Sequence, residues 1–200
     1  MNKIIALTIA VFGLIITQAD AQKPFVEKGD ITVGVGAGIF STFVADRGTT
    51  NVLPLSLNLG YRVADNFSIN AFGGYTSATS RTEVLADGIP VQYRNDQVVV
   101  GLRGEVHTNH FDRVDLYGGL MIGYYIPMVS TITDGVNTQG EPVYTNGPST
   151  TAPFKYKEPT AKIIYSGTVG AIYHMNERFG AFAEVGYGVA LLSAGLNVKL

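Results

Sequence analysis

Apolar and polar residues alternate with a period of two along most of the chain from residue 29 onward. In residues 31–39 the odd positions carry isoleucine, valine or alanine, and the even positions carry threonine or glycine. In residues 53–62 leucine and tyrosine alternate with proline, serine, asparagine, glycine and arginine. Successive side chains of a β-strand point to opposite faces, so this period predicts strands with two chemically different faces.

The alternation predicts eight consecutive strands. They are residues 31–39, 53–62, 67–75, 97–107, 114–126, 162–174, 179–187 and 189–200. Short turns at 63–66, 108–113 and 175–178 alternate with long polar segments at 41–51, 77–96 and 127–161, and a last short turn lies near Gly188. Asp87-Gly88 and Asp134-Gly135 predict hairpin tips within two of the long segments, because Asp-Gly favours the type I′ turn. Short turns on one rim and long loops on the other are typical of outer-membrane barrels.

The polar face of these strands decides which side looks outward, because a soluble lipocalin-type barrel also alternates. That face is mostly glycine, serine, threonine and asparagine, which suits the narrow interior of an eight-stranded barrel better than a water-exposed surface. Aromatic residues of the apolar phase collect at the strand ends, as in the girdles at membrane interfaces. They are Tyr61, Phe67, Tyr173 and Phe179 at one end, and Phe43, Tyr75, Tyr124, Tyr165 and Tyr187 at the other. We therefore predict an all-β, eight-stranded antiparallel up-and-down transmembrane barrel with its apolar face toward lipid.

Composition narrows the classes of function. Charged residues make up 15% of the 200 residues, against about 25% in ordinary soluble domains. The net charge of -2 gives no reason to expect nucleic acid as a partner. The sequence contains no cysteine, which excludes disulfides, cysteine metal sites and a lipid-modified cysteine anchor.

The first 21 residues have the features of a secretory signal peptide. Lys3 precedes an apolar run at residues 4–16, and Ala19-Asp20-Ala21 supplies a small-x-small cleavage site. The alternative is a permanent membrane helix, but the run is shorter than the roughly 20 residues that cross a bilayer. We expect residues 1–21 to be removed on export and residues 22–200 to form one barrel domain.

Three segments of the chain carry a resemblance to a known family. They are Leu-Asn-Leu-Gly-Tyr-Arg at 57–62, Ala-Ile-Tyr-His-Met-Asn-Glu-Arg-Phe at 171–179 and Ser-Ala-Gly-Leu-Asn-Val-Lys-Leu at 193–200. The chain from about residue 29 resembles the small outer-membrane β-barrel proteins, such as the transmembrane domain of outer-membrane protein A. The resemblance implies location in a Gram-negative outer membrane, contact with its lipid and lipopolysaccharide, and insertion by the outer-membrane assembly machinery. The family often ends in phenylalanine, whereas this chain ends in Leu200.

Few charged residues fall on the predicted inner face. They are Arg62, Arg103, Glu105, Glu184 and Lys199. Unpaired charges are costly in a narrow lumen, so we expect pairs of Arg or Lys with Glu across it. Such a network could be a gate or an ion path, but we favour a structural plug, since side chains fill the lumen of an eight-stranded barrel.

The three histidines, His107, His110 and His174, match no metal motif, and we expect them to be polar residues at the membrane interface. We predict no metal, no cofactor and no catalytic residue. The segment His107-Thr108-Asn109-His110 differs from the His-x-Ser arrangement of barrel enzymes that deacylate lipopolysaccharide, and it adjoins a short turn.

These observations predict a non-enzymatic membrane barrel that acts through its external loops or supports membrane integrity. The segment 127–161 is the expected contact surface for a partner or for lipopolysaccharide. Its contact candidates are Tyr144, Phe154, Lys155, Tyr156 and Lys157. The alternatives are a narrow porin-like channel and a lipopolysaccharide-modifying enzyme.

Overall fold

The computed structural model of the protein describes residues 25–41, 49–80, 83–84, 90–108, 113–132 and 160–200. These residues form strands β1 Ile31–Ser41, β2 Thr49–Ala64, β3 Phe67–Thr79, β4 Glu83–Val84, β5 Pro90–Thr108, β6 Val114–Ile132, β7 Lys162–His174, β8 Phe179–Gly186 and β9 Ala190–Lys199. Within the same residues, no helix is long and apolar enough to cross a membrane. The predicted signal peptide, residues 1–21, lies outside them.

The sheet closes on itself. Each strand other than β4 is antiparallel to its neighbours in sequence, and β3 pairs directly with β5. The ring is completed where β1 pairs with β9, from Thr32 opposite Lys199 to Ser41 opposite Ala190. β4 pairs only with the start of β5, outside the ring. The result is a closed eight-stranded barrel, which confirms the predicted fold class.

β5 and β6 are longer than the alternation predicted. They reach Pro90 and Ile132, whereas the sequence predicted limits at residues 97 and 126. In β5 the added residues include Arg94, Asn95 and Asp96, which interrupt the alternation, whereas Pro127 interrupts it in β6. The β4–β5 pairing flanks the Asp87-Gly88 tip, but that tip and Asp134-Gly135 lie outside the described residues.

The distribution of apolar residues is the reverse of that in a soluble barrel. Leu57 is 53% exposed and Val100 44%, while Arg103 is only 1% exposed. Other exposed apolar wall residues are Ile31, Val35, Leu53, Leu55, Leu59, Ile69, Leu102, Leu120, Ile122, Val169, Val185 and Leu196. The predicted assignment of faces is therefore confirmed.

The predicted aromatic girdles are largely present on the outer face. Tyr61, Tyr173 and Phe179 are exposed near the short turns. Tyr124, Tyr165 and Tyr187 are exposed toward the other rim. Phe67 and Tyr75 are half-buried, and Phe43 lies outside the described residues.

Small residues on the inner face make room for large ones. Gly36 of β1 shows this clearly, because a Cβ atom there would lie 2.8 Å from the ring of Phe182 and 2.9 Å from Ser56 Oγ. Phe182 comes from β8 and is 6% exposed. The lumen is thus packed with side chains, as expected for eight strands.

Replacing Leu57 or Val100 by arginine would put a charge in the middle of the apolar wall. Arginine facing lipid at the bilayer midplane costs about 2–4 kcal/mol, so we expect L57R and V100R to assemble poorly. The measurement is the fraction of protein whose electrophoretic mobility shifts on heating. Arginine at the exposed turn residue Glu177 is the control and leaves that fraction unchanged. Normal assembly of both wall variants would contradict the assignment of faces.

Candidate functional site

A charged layer crosses the lumen in its short-turn half. Arg103 Nη1 donates to Glu184 Oε2 at 2.9 Å and to Glu105 Oε1 at 3.2 Å. Glu105 lies two residues along β5 from Arg103, on the same face, whereas Glu184 reaches it from β8. The hydroxyl of Tyr117 also donates to Glu184, at 3.0 Å. A single buried guanidinium thus joins carboxylates from two parts of the wall.

Arg62 meets an aspartate that the sequence analysis missed. Its Nη2 lies 3.4 Å from Asp115 Oδ2, and both side chains are buried. Asp115 is the second residue of β6 and follows a predicted short turn. The alternation could have placed Asp115 on the inner face, because the next residue, Leu116, belongs to the apolar outer face.

His107 lies at the centre of this layer. Its Nδ1 is 2.7 Å from Asp115 Oδ2, and its Nε2 is 2.9 Å from Ser68 Oγ. Asn70 Nδ2 donates to the same Ser68 oxygen at 3.0 Å. β3, β5 and β6 are consecutive around the barrel, so their inner faces bring these side chains together.

The expectation that the histidines lie at the membrane interface is wrong for two of them. His107 is 6% exposed and His174 is 8% exposed, because both belong to the inward phase of their strands. His110 lies outside the described residues. Within the part of the chain that the structure describes, no group of three His, Asp or Glu side chains is arranged to hold a metal ion.

An apolar layer fills the lumen on the long-loop side of the charges. It consists of Phe72, Val99, Met121, Tyr125, Ile164 and Val189. All six are buried, and the Arg103 guanidinium lies 4.8 Å above the Phe72 ring at the boundary between the layers. The sequence analysis assigned the inner face to small polar residues and missed this layer. The sequence could have indicated this layer where apolar residues occupy both faces of a strand, as at Val98-Val99-Val100 and Tyr124-Tyr125.

A small cavity adjoins the charged layer. It measures about 40 Å³, and its lining includes Ser68, Asn70, His107, Arg62 and Arg103. A buried water needs roughly 10–15 Å³ of such volume, so the cavity has room for about three. Apolar side chains, Val26, Ile172 and Phe182, also line it.

Residues 25–30, the N-terminal strap, close the short-turn mouth of the barrel. The ring of Phe25 stacks on His174 with centroids 4.7 Å apart. Val26 is 7% exposed and lines the cavity. The Gly29 N–H donates to the Arg62 carbonyl at 2.8 Å, and the Arg62 N–H donates to the Asp30 carbonyl at 3.0 Å.

Lys199 fastens the strap and does not join the charged layer. Its Nζ donates to the Phe25 carbonyl at 3.0 Å and lies 3.0 Å from Asp30 Oδ2. Partial burial would by itself raise the pKa of Asp30, but the Glu27 N–H and the Lys199 charge outweigh it, and the pKa is lowered. The loop contact candidates Tyr144, Phe154, Lys155, Tyr156 and Lys157 lie outside the described residues.

Replacing Arg103 by methionine should strongly destabilise the barrel. The change leaves Glu105 and Glu184 buried without their cation, and breaking a buried pair in this way costs about 3–5 kcal/mol. We expect a large fall in the urea midpoint of the folded barrel. R94M is the matched control, because Arg94 pairs with Asp96 at 3.2 Å with its side chain 45% exposed, and exposed pairs contribute little to stability. Equal losses in both variants would show that the lumen charges need no partner.

Acid should loosen the strap. Because the pKa of Asp30 lies below its ordinary 3.8, the pair with Lys199 contributes its full stability above that value and loses it as the pH falls through the lowered pKa. We expect the protection of the Gly29 amide, its exchange rate relative to the intrinsic rate at the same pH, to fall in that range, and K199M to lower this protection already at neutral pH. Glu177→Gln is the control and leaves this protection unchanged. Protection insensitive to both acid and K199M would contradict the role of Lys199.

No protein-family model matches the sequence, and no curated protein matches it. The solved structure of the outer membrane protein OprG from Pseudomonas aeruginosa is 14% identical, with 89% of this chain and 99% of that chain covered and a TM-score of 0.55. The N-terminal β-barrel domain of Pseudomonas aeruginosa OprF is 9% identical over 88% and 100% of the two chains, with a TM-score of 0.48. Ail, the attachment invasion locus protein of Yersinia pestis, is 13% identical over 86% and 95%, with a TM-score of 0.43.

The likeness to OprG covers nearly the whole of both chains and has the same architecture. It agrees with the closed ring of eight antiparallel strands and the apolar outer face. The chain therefore has the fold of the small eight-stranded outer-membrane β-barrel proteins.

Proposed function

We propose that this protein is an integral outer-membrane barrel that acts through its external loops, and through its contribution to membrane integrity, rather than by conducting solutes. The observation that carries the proposal is the filled lumen. An ion crossing the barrel would meet the strap, the charged layer and the apolar layer in turn. The last of these is mostly apolar, which makes the entry of a dehydrated ion costly.

The outer surface supports the membrane location. Leucine, isoleucine, valine and tyrosine cover the wall, which would be a large aggregation-prone patch in water. Lipid and lipopolysaccharide are the surroundings that this surface suits. Export by a cleaved signal peptide at residues 1–21 and insertion by the assembly machinery of a Gram-negative cell belong to the same proposal.

The β5–β6 ribbon supports a role for the loops. The last β6–β7 pair joins Tyr125 and Lys162, but β6 continues to Ile132 with β5 as its partner. At about 3.4 Å per residue, residues 126–132 extend the ribbon about 24 Å beyond the end of β7. This projecting ribbon supports a contact of the adjoining segment with a partner or with lipopolysaccharide.

The position of the histidines argues against lipid modification. A lipid-modifying barrel needs its nucleophile and base where a lipid can reach them. Among the described residues, His107 and His174 both lie inside the lumen, behind a wall of paired strands. We therefore propose that the protein does not modify lipopolysaccharide.

Conductance in planar lipid bilayers tests the filled lumen. We expect the wild-type barrel to give no steady, reproducible openings. The double variant F72A/M121A removes two large side chains of the apolar layer and should raise the frequency of openings. L102A, on the exposed outer face, is the matched control and should stay silent. Steady openings of the wild type would overturn the proposal in favour of a channel.

Binding of purified lipopolysaccharide tests the loops. We expect K155A/K157A to weaken binding severalfold at low salt, because the phosphate groups of lipopolysaccharide attract lysine, and the difference should shrink as salt rises. Lys28 is exposed in the strap, at the opposite mouth, so K28A serves as the control. If K28A weakens binding as much as K155A/K157A, the contact surface does not lie in the segment 127–161.

A further inference from the structure

Three side chains in the lumen form a hydrogen-bonded chain from a hydroxyl to a carboxylate. Ser68 Oγ lies 2.9 Å from His107 Nε2, and His107 Nδ1 lies 2.7 Å from Asp115 Oδ2. All three are less than one-tenth exposed. The loop and lipid functions proposed above use none of them.

The protons in this chain can be assigned from the chemistry of its ends. The Asp115 carboxylate only accepts, so the proton between it and the imidazole must sit on His107 Nδ1. When the imidazole is neutral, its Nε2 has a free lone pair that accepts the Ser68 O–H, whereas a protonated imidazole donates from Nε2, with Glu105 Oε2 3.6 Å away. Asn70 Nδ2 donates to the remaining side of Ser68 Oγ. This is the arrangement in which a histidine activates a serine as a nucleophile.

Glu105 is the competing acceptor for the Ser68 proton. Its Oε2 lies 3.4 Å from Ser68 Oγ, which is 0.5 Å longer than the contact with His107 at 2.9 Å. The other Glu105 oxygen is held by Arg103 at 3.2 Å. The shorter contact and the engagement of Glu105 both favour His107 as the acceptor.

The cavity places donors for negative charge beside the serine. Ser68, His107 and Asn70 line it together with Arg62 and Arg103. Both guanidinium groups are buried, and among the described residues Arg62 Nε and Nη1 and Arg103 Nε have no hydrogen-bond partner. Groups of this kind stabilise the oxyanion that forms when a nucleophile adds to a carbonyl.

Size and access limit what could react. The apolar layer closes the long-loop side, so a substrate must enter from the short-turn mouth, past Val26 and the strap. A cavity of about 40 Å³ holds a group no larger than a short acyl chain. Lipids are too large for it, so the site differs from the lipid-modifying enzyme rejected above.

We propose that Ser68 is a nucleophile for short acyl esters, with His107 as its general base and Asp115 as the positioning residue. Ser68 Oγ forms a bond to the acyl carbon while its proton passes to His107 Nε2. The ester C–O bond breaks, and the leaving alcohol takes that proton. Water then attacks the acyl-serine, again losing its proton to His107, and the carboxylic acid leaves as Ser68 recovers its hydrogen.

Methanesulfonyl fluoride is a probe of suitable size. Ser68 Oγ would form a bond to its sulfur as the S–F bond breaks and fluoride leaves, and the site then stays blocked. We expect peptide mass spectrometry of the folded full-length mature barrel to find the label on Ser68. S68A should lose the label, whereas S166A should keep it, because Ser166 is another buried lumen serine, 7% exposed.

His107→Gln should slow labelling by about 10²-fold or more, the usual contribution of a general base. D115N should slow it similarly and also change its pH profile, because Nδ1 of His107 then loses the carboxylate that orients the imidazole. Heat-dependent mobility shows that each variant is folded. The absence of label on Ser68 in the folded wild type, equal labelling of Ser166, or a D115N variant with unchanged rate and pH dependence would overturn the proposal.

Discussion

In the hydrocarbon interior of a membrane, every backbone N–H and C=O must find a partner within the protein, because an unsatisfied group costs several kcal/mol there. A sheet meets this requirement only when it has no edges. In this protein the condition is met where β1 pairs with β9 over nearly its full length, so that the first strand and the last share one ladder. The antiparallel order of the eight strands and the reversed distribution of apolar residues both depend on that closure.

Closure with eight strands also determines the width of the lumen and therefore which side chains fit inside it. The space inside is narrow, so glycine and serine must alternate with the few large side chains, and charges brought inside must find partners at short range. Arg103 meets that need with two carboxylates, and Arg62 with one. The apolar layer then separates these charges from the long-loop side. These layers in sequence are the basis for the proposal that the barrel does not conduct solutes.

The sequence predicted the strands, their faces and the closed barrel. The period of two is a local property of each strand, and closure is a general requirement for a sheet in a membrane. It did not predict the ends of β5 and β6, since residues beyond the lipid, such as Arg94 and Asp96, need no apolar face. It placed Arg103, Glu105 and Glu184 on the inner face and predicted that such charges pair, but it missed Asp115 as the partner of Arg62. Contacts such as that of Ser68 with His107 depend on the stagger between neighbouring strands. The period of two does not determine that stagger.

The central claim is that alternate residues of each strand face lipid. Since the sequence has no cysteine, single cysteines can be introduced at positions 55–59 of β2 and labelled with nitroxide in a barrel reconstituted in bilayers. The account predicts that collision with oxygen, which is concentrated in lipid, is high at Leu55, Leu57 and Leu59 and low at Ser56 and Asn58. Uniform accessibility along these five positions, or the opposite alternation, would contradict it.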